Sequence, residues 1–199
     1  MNPPIWLNVG CGSYLAPQPW VNIDGNDSEY PDNFANGSKT IVPRKPDIVA
    51  WSDSLPFPDA SVDRIYAGHI LEHMNLHNGE VDRTLVEFKR VLAPGGKIMV
   101  VGPDLVKCGE LLFQRHIDWS TFWQCHGTAG RGNPAAKPYA NAKPGDVHLW
   151  STSEEAVWAI LSKHWDHSEL TICEIGLVED GWPIVAKPPW QYCIRVDAR

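Results

Sequence analysis

Two short stretches, I-W-L-N-V-G-C-G at residues 5–12 and V-N-I-D at residues 21–24, leave a chain of 199 residues few folds to choose from. Ile5, Trp6, Leu7 and Val9 read as a buried strand, with Gly10, Cys11 and Gly12 as a tight turn at its carboxyl end. A second apolar run, Val21 to Ile23, closes on an acid, Asp24. In an open α/β sheet, ligands bind just beyond the carboxyl ends of the strands. A glycine turn there lets the main chain approach a ligand closely, and an acid on the neighbouring strand can accept hydrogen bonds from both hydroxyls of a ribose. The pair predicts a nucleoside-containing ligand across two strand ends. The plainer alternative is an ordinary turn with Asp24 as a strand cap.

The wording of the turn narrows the ligand. A dinucleotide site prefers G-x-G-x-x-G, whose third glycine allows close helix packing beside a pyrophosphate. Here the string is G-C-G-S-Y-L, with Leu15 in the third position, and Pro17 and Pro19 leave little room for a long helix. A phosphate-binding P-loop is excluded, because no G-K-[ST] follows. S-adenosylmethionine carries a ribose but no phosphate, and it needs only the glycine turn and the acid.

The remainder of the chain alternates strands with loops and helices. Pro46–Ala50 and Val62–Ala67 read as strands, separated by the proline-punctuated W-S-D-S-L-P-F-P-D-A-S-V-D. Glu80–Leu92 is an amphipathic helix with Val81, Leu85, Phe88 and Leu92 on one face. Pro94, Gly95 and Gly96 stop it, and Lys97–Val101 form the next strand. A helix starts near Asp104, and another runs from Glu154 to about His164 with Thr152 or Ser153 as its cap. Leu170–Val178 and Trp190–Val196 alternate as two late strands in an antiparallel hairpin. The order predicts a Rossmann-like, doubly wound seven-stranded sheet, mostly parallel with an antiparallel C-terminal edge. Residues 1–199 are expected to form a single domain. Phe122 to Asp146 reads as irregular, and a lid or substrate loop is expected at about 119–150.

Composition excludes several classes. No apolar run approaches the roughly 18 residues of a membrane span, and the start M-N-P-P-I-W lacks the form of a signal peptide. Five cysteines, odd in number and without a C-x-x-C pair, fit reduced thiols in a cytoplasmic setting. A net charge of −7 argues against broad electrostatic binding of nucleic acid. Ten tryptophans are many for this length, and Trp119, Trp123 and Trp150 fall where a substrate pocket could be.

L-N-V-G-C-G with V-N-I-D, L-P-F-P-D-A-S-V-D-R-I-Y-A, G-H-I-L-E-H-M and R-V-L-A-P-G-G-K-I-M-V-V-G-P-D occur in that order over residues 5–105. In this set the chain resembles the class I S-adenosylmethionine-dependent methyltransferases, and within them the small type 11 group. The resemblance implies S-adenosylmethionine as cofactor. It implies that Asn8, Gly10, Cys11 and Gly12 lie at the methionine and ribose, with Asp24 on the ribose hydroxyls. The stretch before L-P-F would hold adenine, usually through an acid four residues before that leucine. Trp51 stands there instead, so either Trp51 packs on adenine with Ser52 offering its backbone N–H, or Asp53 takes the role. Gly68 and His69 would line the methyl end.

His69, Glu72 and His73 form H-x-x-E-H at the start of an expected helix. Three readings stand: a divalent metal site completed by His148, a general base among the histidines, or braces for a helix end. We adopt His69, His73 and His148 as catalytic candidates and expect no resident metal. Asp104 is either an acceptor contact or an N-cap, and Arg131, Lys137 and Lys143 are candidates for an anionic acceptor. Methyl transfer from a sulfonium requires alignment above all, and the expected acceptor is a small hydroxyl- or carboxyl-bearing molecule or a sugar, with O-methylation favoured. An inactive cofactor-binding scaffold and an RNA or DNA methyltransferase are the alternatives. The sequence says nothing of oligomeric state.

Overall fold

The computed structural model describes residues 3–12, 14–25, 45–126, 148–174, 181–183 and 189–199. Its centre is a seven-stranded sheet: β1 (Trp6–Val9), β2 (Trp20–Asp24), β3 (Ile48–Val49), β4 (Val62–Gly68), β5 (Leu92–Pro103), β6 (Leu170–Ile172) and β7 (Gln191–Asp197). Its order is β3-β2-β1-β4-β5-β7-β6. β1 pairs in parallel with both β2 and β4, β4 pairs in parallel with β5, and β7 runs antiparallel to β5 and β6. The strand order therefore reverses between β1 and β4, and the crevice beyond their carboxyl ends is where such sheets place a ligand. Four helices accompany the sheet among the described residues: α1 (Glu80–Val91), α2 (Leu105–Phe113), α3 (Trp119–His126) and α4 (Glu154–Leu161).

The near-continuous apolar strands follow from burial on both faces. Side chains alternate across a strand, so Leu7, Val9, Ile65, Ala67, Ile98, Val100, Ile194 and Val196 share one core. Val81, Leu85 and Phe88 of α1, with Val157, Ile160 and Leu161 of α4, close it. Tyr66, Met99, Val101 and Cys193 point to the opposite face and meet Trp20, Trp182 and Ala16. There the Arg64 guanidinium lies 4.3 Å from the ring centre of Trp6 and 5.3 Å from that of Trp182, and its charge faces π-electron density. Much of the tryptophan content thus serves this second core.

The loop between β1 and β2 is fixed by two asparagines in register, Asn8 opposite Asn22. Asn8 Nδ2 donates to Tyr14 O at 2.9 Å and Asn22 Oδ1 at 2.9 Å. Asn22 Oδ1 also accepts from Ala16 N at 2.7 Å, while its Nδ2 donates to Ala16 O at 3.0 Å and Asp47 Oδ2 at 2.9 Å. Both amides are buried, so these bonds satisfy main-chain groups that water cannot reach. Asp104 does the same for α2: its Oδ1 accepts from Val106 N and Lys107 N at 2.9 and 3.1 Å, and its Oδ2 from Glu154 N at 3.1 Å. Of its two expected roles, the N-cap is the one seen.

Several expectations are revised. Pro94–Gly96 does not separate helix from strand: β5 begins at Leu92, with Gly95 at φ +77° inside it. H-x-x-E-H forms only a 3-10 turn, Leu71–His73, because Ile70 and Leu71 are drawn into the core at the end of β4. Residues 119–126, expected within a lid or irregular loop, form α3, with Trp119, Phe122, Trp123 and His126 in ring contact. Residues 127–147 of the expected lid, with Arg131, Lys137 and Lys143, lie outside the described residues, as does the end of the strand expected to reach Val178. No helix among the described residues is long and apolar enough to cross a membrane.

Replacing Asn22 with Leu takes one of two partners from the amide of Asn8 and leaves the main-chain N–H and C=O of Ala16 without these bonds in a dry setting. Urea denaturation should show a loss of about 2–4 kcal/mol. A loss below about 0.5 kcal/mol would mean that the network does not hold the loop.

Candidate active site

The turn after β1 is drawn towards the end of β2. Cys11 N donates to Ile23 O at 3.0 Å, and Gly12 N donates to Asp24 Oδ2 at 2.8 Å. Gly10 and Gly12 both have positive φ, +68° and +48°. Gly10 is confined by Ile70, whose Cδ1 lies 2.6 Å from where a β-carbon would stand, whereas no described residue lies within 4 Å of that position on Gly12. One glycine packs against the protein, and the other presents bare main chain beside an acid. Cys11 is buried and acts as a small filler. Burial, helped by the charges of Asp24 and Asp47, pushes its thiol far above the usual range, so it is no nucleophile.

Trp51 follows β3 and is 60% exposed. Its indole covers Gly25, next to Asp24, so closely that a β-carbon on Gly25 would lie 2.6 Å from the ring. Ser52 turns its hydroxyl to Thr84, 3.0 Å away, and Asp53 pairs with Arg83 at 3.3 Å. Of the three residues proposed for adenine, Trp51 is the one that offers a face. Asn8, counted among the cofactor residues from the motif, commits its amide to the loop network and braces the turn from below.

Across the switch point, β4 ends at Gly68, where the ring of Tyr66 fills the space of a side chain. His69 follows with φ +55°, a conformation that a non-glycine residue holds only when its surroundings impose it. Two partners do so. Its Nε2 meets the side chain of Gln191 on β7, and its Nδ1 lies 3.2 Å from Glu72 Oε1. Glu72 is fully buried, and among the described residues neither carboxylate oxygen has a hydrogen-bond partner of good geometry, the ion-pair contact to His69 aside. Burial works to raise its pKa, but the neighbouring imidazoles of His69 and His73 outweigh it, and the net shift is downward.

His73 and His148 complete the group. Their rings meet edge to face with centres 4.7 Å apart. One ligand-capable atom from each of Glu72, His73 and His148 lies within 4.8 Å of the others. The segment carrying His148 is fastened to the 3-10 turn: Leu149 N donates to Glu72 O at 2.7 Å and Trp150 Nε1 to Leu71 O at 2.9 Å. Trp150 is therefore a strut rather than a pocket wall. Burial lowers the pKa of His148, partly offset by Glu72, which leaves its imidazole neutral near neutral pH.

Two residues of this region escaped the sequence analysis. Gln191 fixes His69 from the last strand, which nothing near residue 69 could announce. His126 is buried on α3 with no hydrogen-bond partner for either ring nitrogen among the described residues, and burial above all lowers its pKa to about 4. Its place at the border of an irregular stretch was the only signal.

Gly10→Ala forces a side chain into a positive-φ turn and against Ile70. Thermal denaturation should show a loss of about 1–3 kcal/mol, partly restored by adding Ile70→Ala. No loss would mean that the turn can relax elsewhere.

The comparisons with known proteins agree with this geometry. Residues 7–100 match a family model described as a methyltransferase domain. The sterol 4-C-methyltransferase strm-1 of Caenorhabditis elegans is 31% identical over 114 residues, covering 52% of this chain and 32% of that protein. The chain thus spans about a third of that relative's length. A SAM-dependent methyltransferase from Archaeoglobus fulgidus superposes with a TM-score of 0.51 at 14% identity, over 97% of this chain and 85% of that one. Another, from Methanosarcina mazei, gives 0.51 at 18% identity over 96% and 91%; both likenesses speak to the fold. The matched residues 7–100, a little under half of the chain, carry the turn after β1, Asp24 and the end of β4 at the switch point of the seven-stranded sheet, and the chain has the fold of the class I S-adenosylmethionine-dependent methyltransferases.

Proposed function

We propose that this chain transfers a methyl group from S-adenosylmethionine to an oxygen of a small acceptor. The observation that carries the donor half is the 2.8 Å bond from Gly12 N to Asp24 Oδ2 beside an open glycine face. It places bare main chain and a carboxylate together at the carboxyl ends of β1 and β2. Asp24 would hold the ribose hydroxyls, and the exposed indole of Trp51 would stack on adenine, since an aromatic face suits any planar base. Gly10 and Gly12 would let the methionine part approach the main chain, with Gly68 and His69 at its methyl end. Ser52 and Asp53, each engaged by α1, would shape the adenine loop. Asn8 and Cys11 would support the turn from beneath.

Bound there, the donor supplies a methyl group already activated on a sulfonium. The chain's residues then have to align the acceptor and take up the proton that a hydroxyl loses. His69, His73 and His148 surround the acceptor end in this reading. His148, held neutral by burial, is suited to receive that proton. Glu72 beneath His69 would orient the imidazole, as a carboxylate hydrogen-bonded to one ring nitrogen does for a histidine. The acidic charge of the chain supports a small acceptor over nucleic acid.

Isothermal titration of the whole chain should give micromolar binding of S-adenosylmethionine and S-adenosylhomocysteine and none of NAD. Asp24→Ala should weaken both by at least about tenfold, the value of hydrogen bonds to a charged group. Trp51→Ala should weaken them by about three- to tenfold, in keeping with one lost aromatic stack. Unchanged affinity in Asp24→Ala would remove the central assignment, and failure of the wild-type chain to bind either compound would leave the fold as a scaffold. An acceptor is then sought by following S-adenosylhomocysteine release.

A further inference from the structure

We propose that Glu72, His73 and His148 bind a divalent transition-metal cation at the acceptor end of the site. The inference rests on the methyltransferase reading only for what the cation would do, not for its binding. Three independent observations support it. The first is Glu72 itself. A fully buried carboxylate with two unpartnered oxygens is costly to keep. The His69 contact at 3.2 Å covers one side of one oxygen and leaves the carboxylate aimed at the two other imidazoles.

The second is the convergence of donors. One atom from each of Glu72, His73 and His148 lies within 4.8 Å of the others. Around a tetrahedral ion with bonds of about 2.1 Å, ligand atoms sit roughly 3.4 Å apart. Small rotations of two half-buried histidine rings would make up the difference. Two imidazoles and one carboxylate form the donor set of ions such as Zn2+, Co2+ or Fe2+, and three protein ligands leave a position open for water or an acceptor oxygen.

The third is preorganisation. Glu72 and His73 stand side by side in a 3-10 turn, and His148 comes from 75 positions further along the chain than His73. The main-chain bond from Leu149 N to Glu72 O and the bond from Trp150 Nε1 to Leu71 O fasten the two segments on either side of the cluster. Such bonds hold ligands from separate segments in place before an ion arrives. A cation at this point would bind the acceptor's oxygen and lower the pKa of its hydroxyl. With His148 held on the ion, the proton role proposed for it would pass to His69, which lies outside the donor set.

The test is a titration of the chelator-treated and desalted full chain with Zn2+, and separately with Co2+ followed by its visible absorption. One equivalent should bind with micromolar affinity or better, and Co2+ should give the intense spectrum of a low-coordinate nitrogen–oxygen site. His73→Ala and His148→Ala should each weaken Zn2+ binding by at least about 100-fold, and Glu72→Gln should do so while sparing the fold, since it removes a buried charge. Exchange of exposed His77 and His116 for Ala should leave affinity unchanged. No saturable binding, or binding that survives His148→Ala, would overturn the proposal. S-adenosylmethionine titrated into the same samples keeps the two assignments apart. Loss of that binding alone would remove the donor reading and leave the metal site standing.

Discussion

The bond network of Asn8 and Asn22 is the constraint on which the donor half depends. A parallel sheet leaves its strand ends ragged, and the chain leaving β1 must return to start β2 with its main-chain groups paired. Two amides at the same level of adjacent strands meet that need. Each is short enough to stay within the layer, and together they present both donors and acceptors. They hold the 14–16 segment down and, through Asp47, tie the start of β3 to β2. With that segment held, Gly12 has nowhere to go but beside Asp24. In the proposed reading the asparagines therefore act on the donor without touching it. Their motif letters, N in L-N-V-G and N in V-N-I-D, carry the same weight as the glycines and the acid.

The acceptor half is built on different physics. Where β4 runs out, Gly68 gives its side-chain space to Tyr66, and His69 takes a left-handed conformation. That strain persists because the imidazole is held from two sides, by Gln191 and by Glu72. Glu72 in turn is a buried charge that needs compensation, and among the described residues the imidazoles of His69 and His73 provide it. Its own oxygens still lack well-formed hydrogen bonds there. An unfilled demand of this kind is costly in a core and useful at a site that must bind something.

Much of the fold was legible because the hydrophobic pattern reports burial directly. The apolar faces of α1 and α4, and the strands from Val62 to Gly68 and from Gln191 to Asp197, are readable from spacing alone. The start of β5 was not, because Pro94, Gly95 and Gly96 are turn formers in isolation. Pairing of Val62 with Leu92 overrides them. The helix expected at H-x-x-E-H was lost for a similar reason: burial of Ile70, Leu71 and Met74 in one core leaves the segment a single tight turn. Helix α3 was missed because its aromatic residues contact one another and show no clear apolar stripe.

The same distinction separates the two halves of the site. Gly10, Gly12, Asp24 and Trp51 are brought together by neighbouring parallel strands, so their spacing along the chain already states their spacing in space. His69, Glu72, His126, His148 and Gln191 meet only because β7 inserts beside β5 and the 148–150 segment docks on the turn after β4. A motif can encode the first arrangement but not the second. This follows from what each half must do. Holding one invariant donor rewards local geometry that folds the same way whatever surrounds it. Recognising an acceptor rewards side chains gathered from separate elements, each of which can change without disturbing the sheet that carries it. In the proposed reading the acceptor end is therefore the part in which this chain's individual chemistry is written, and the buried carboxylate of Glu72 among its histidines is its most specific mark.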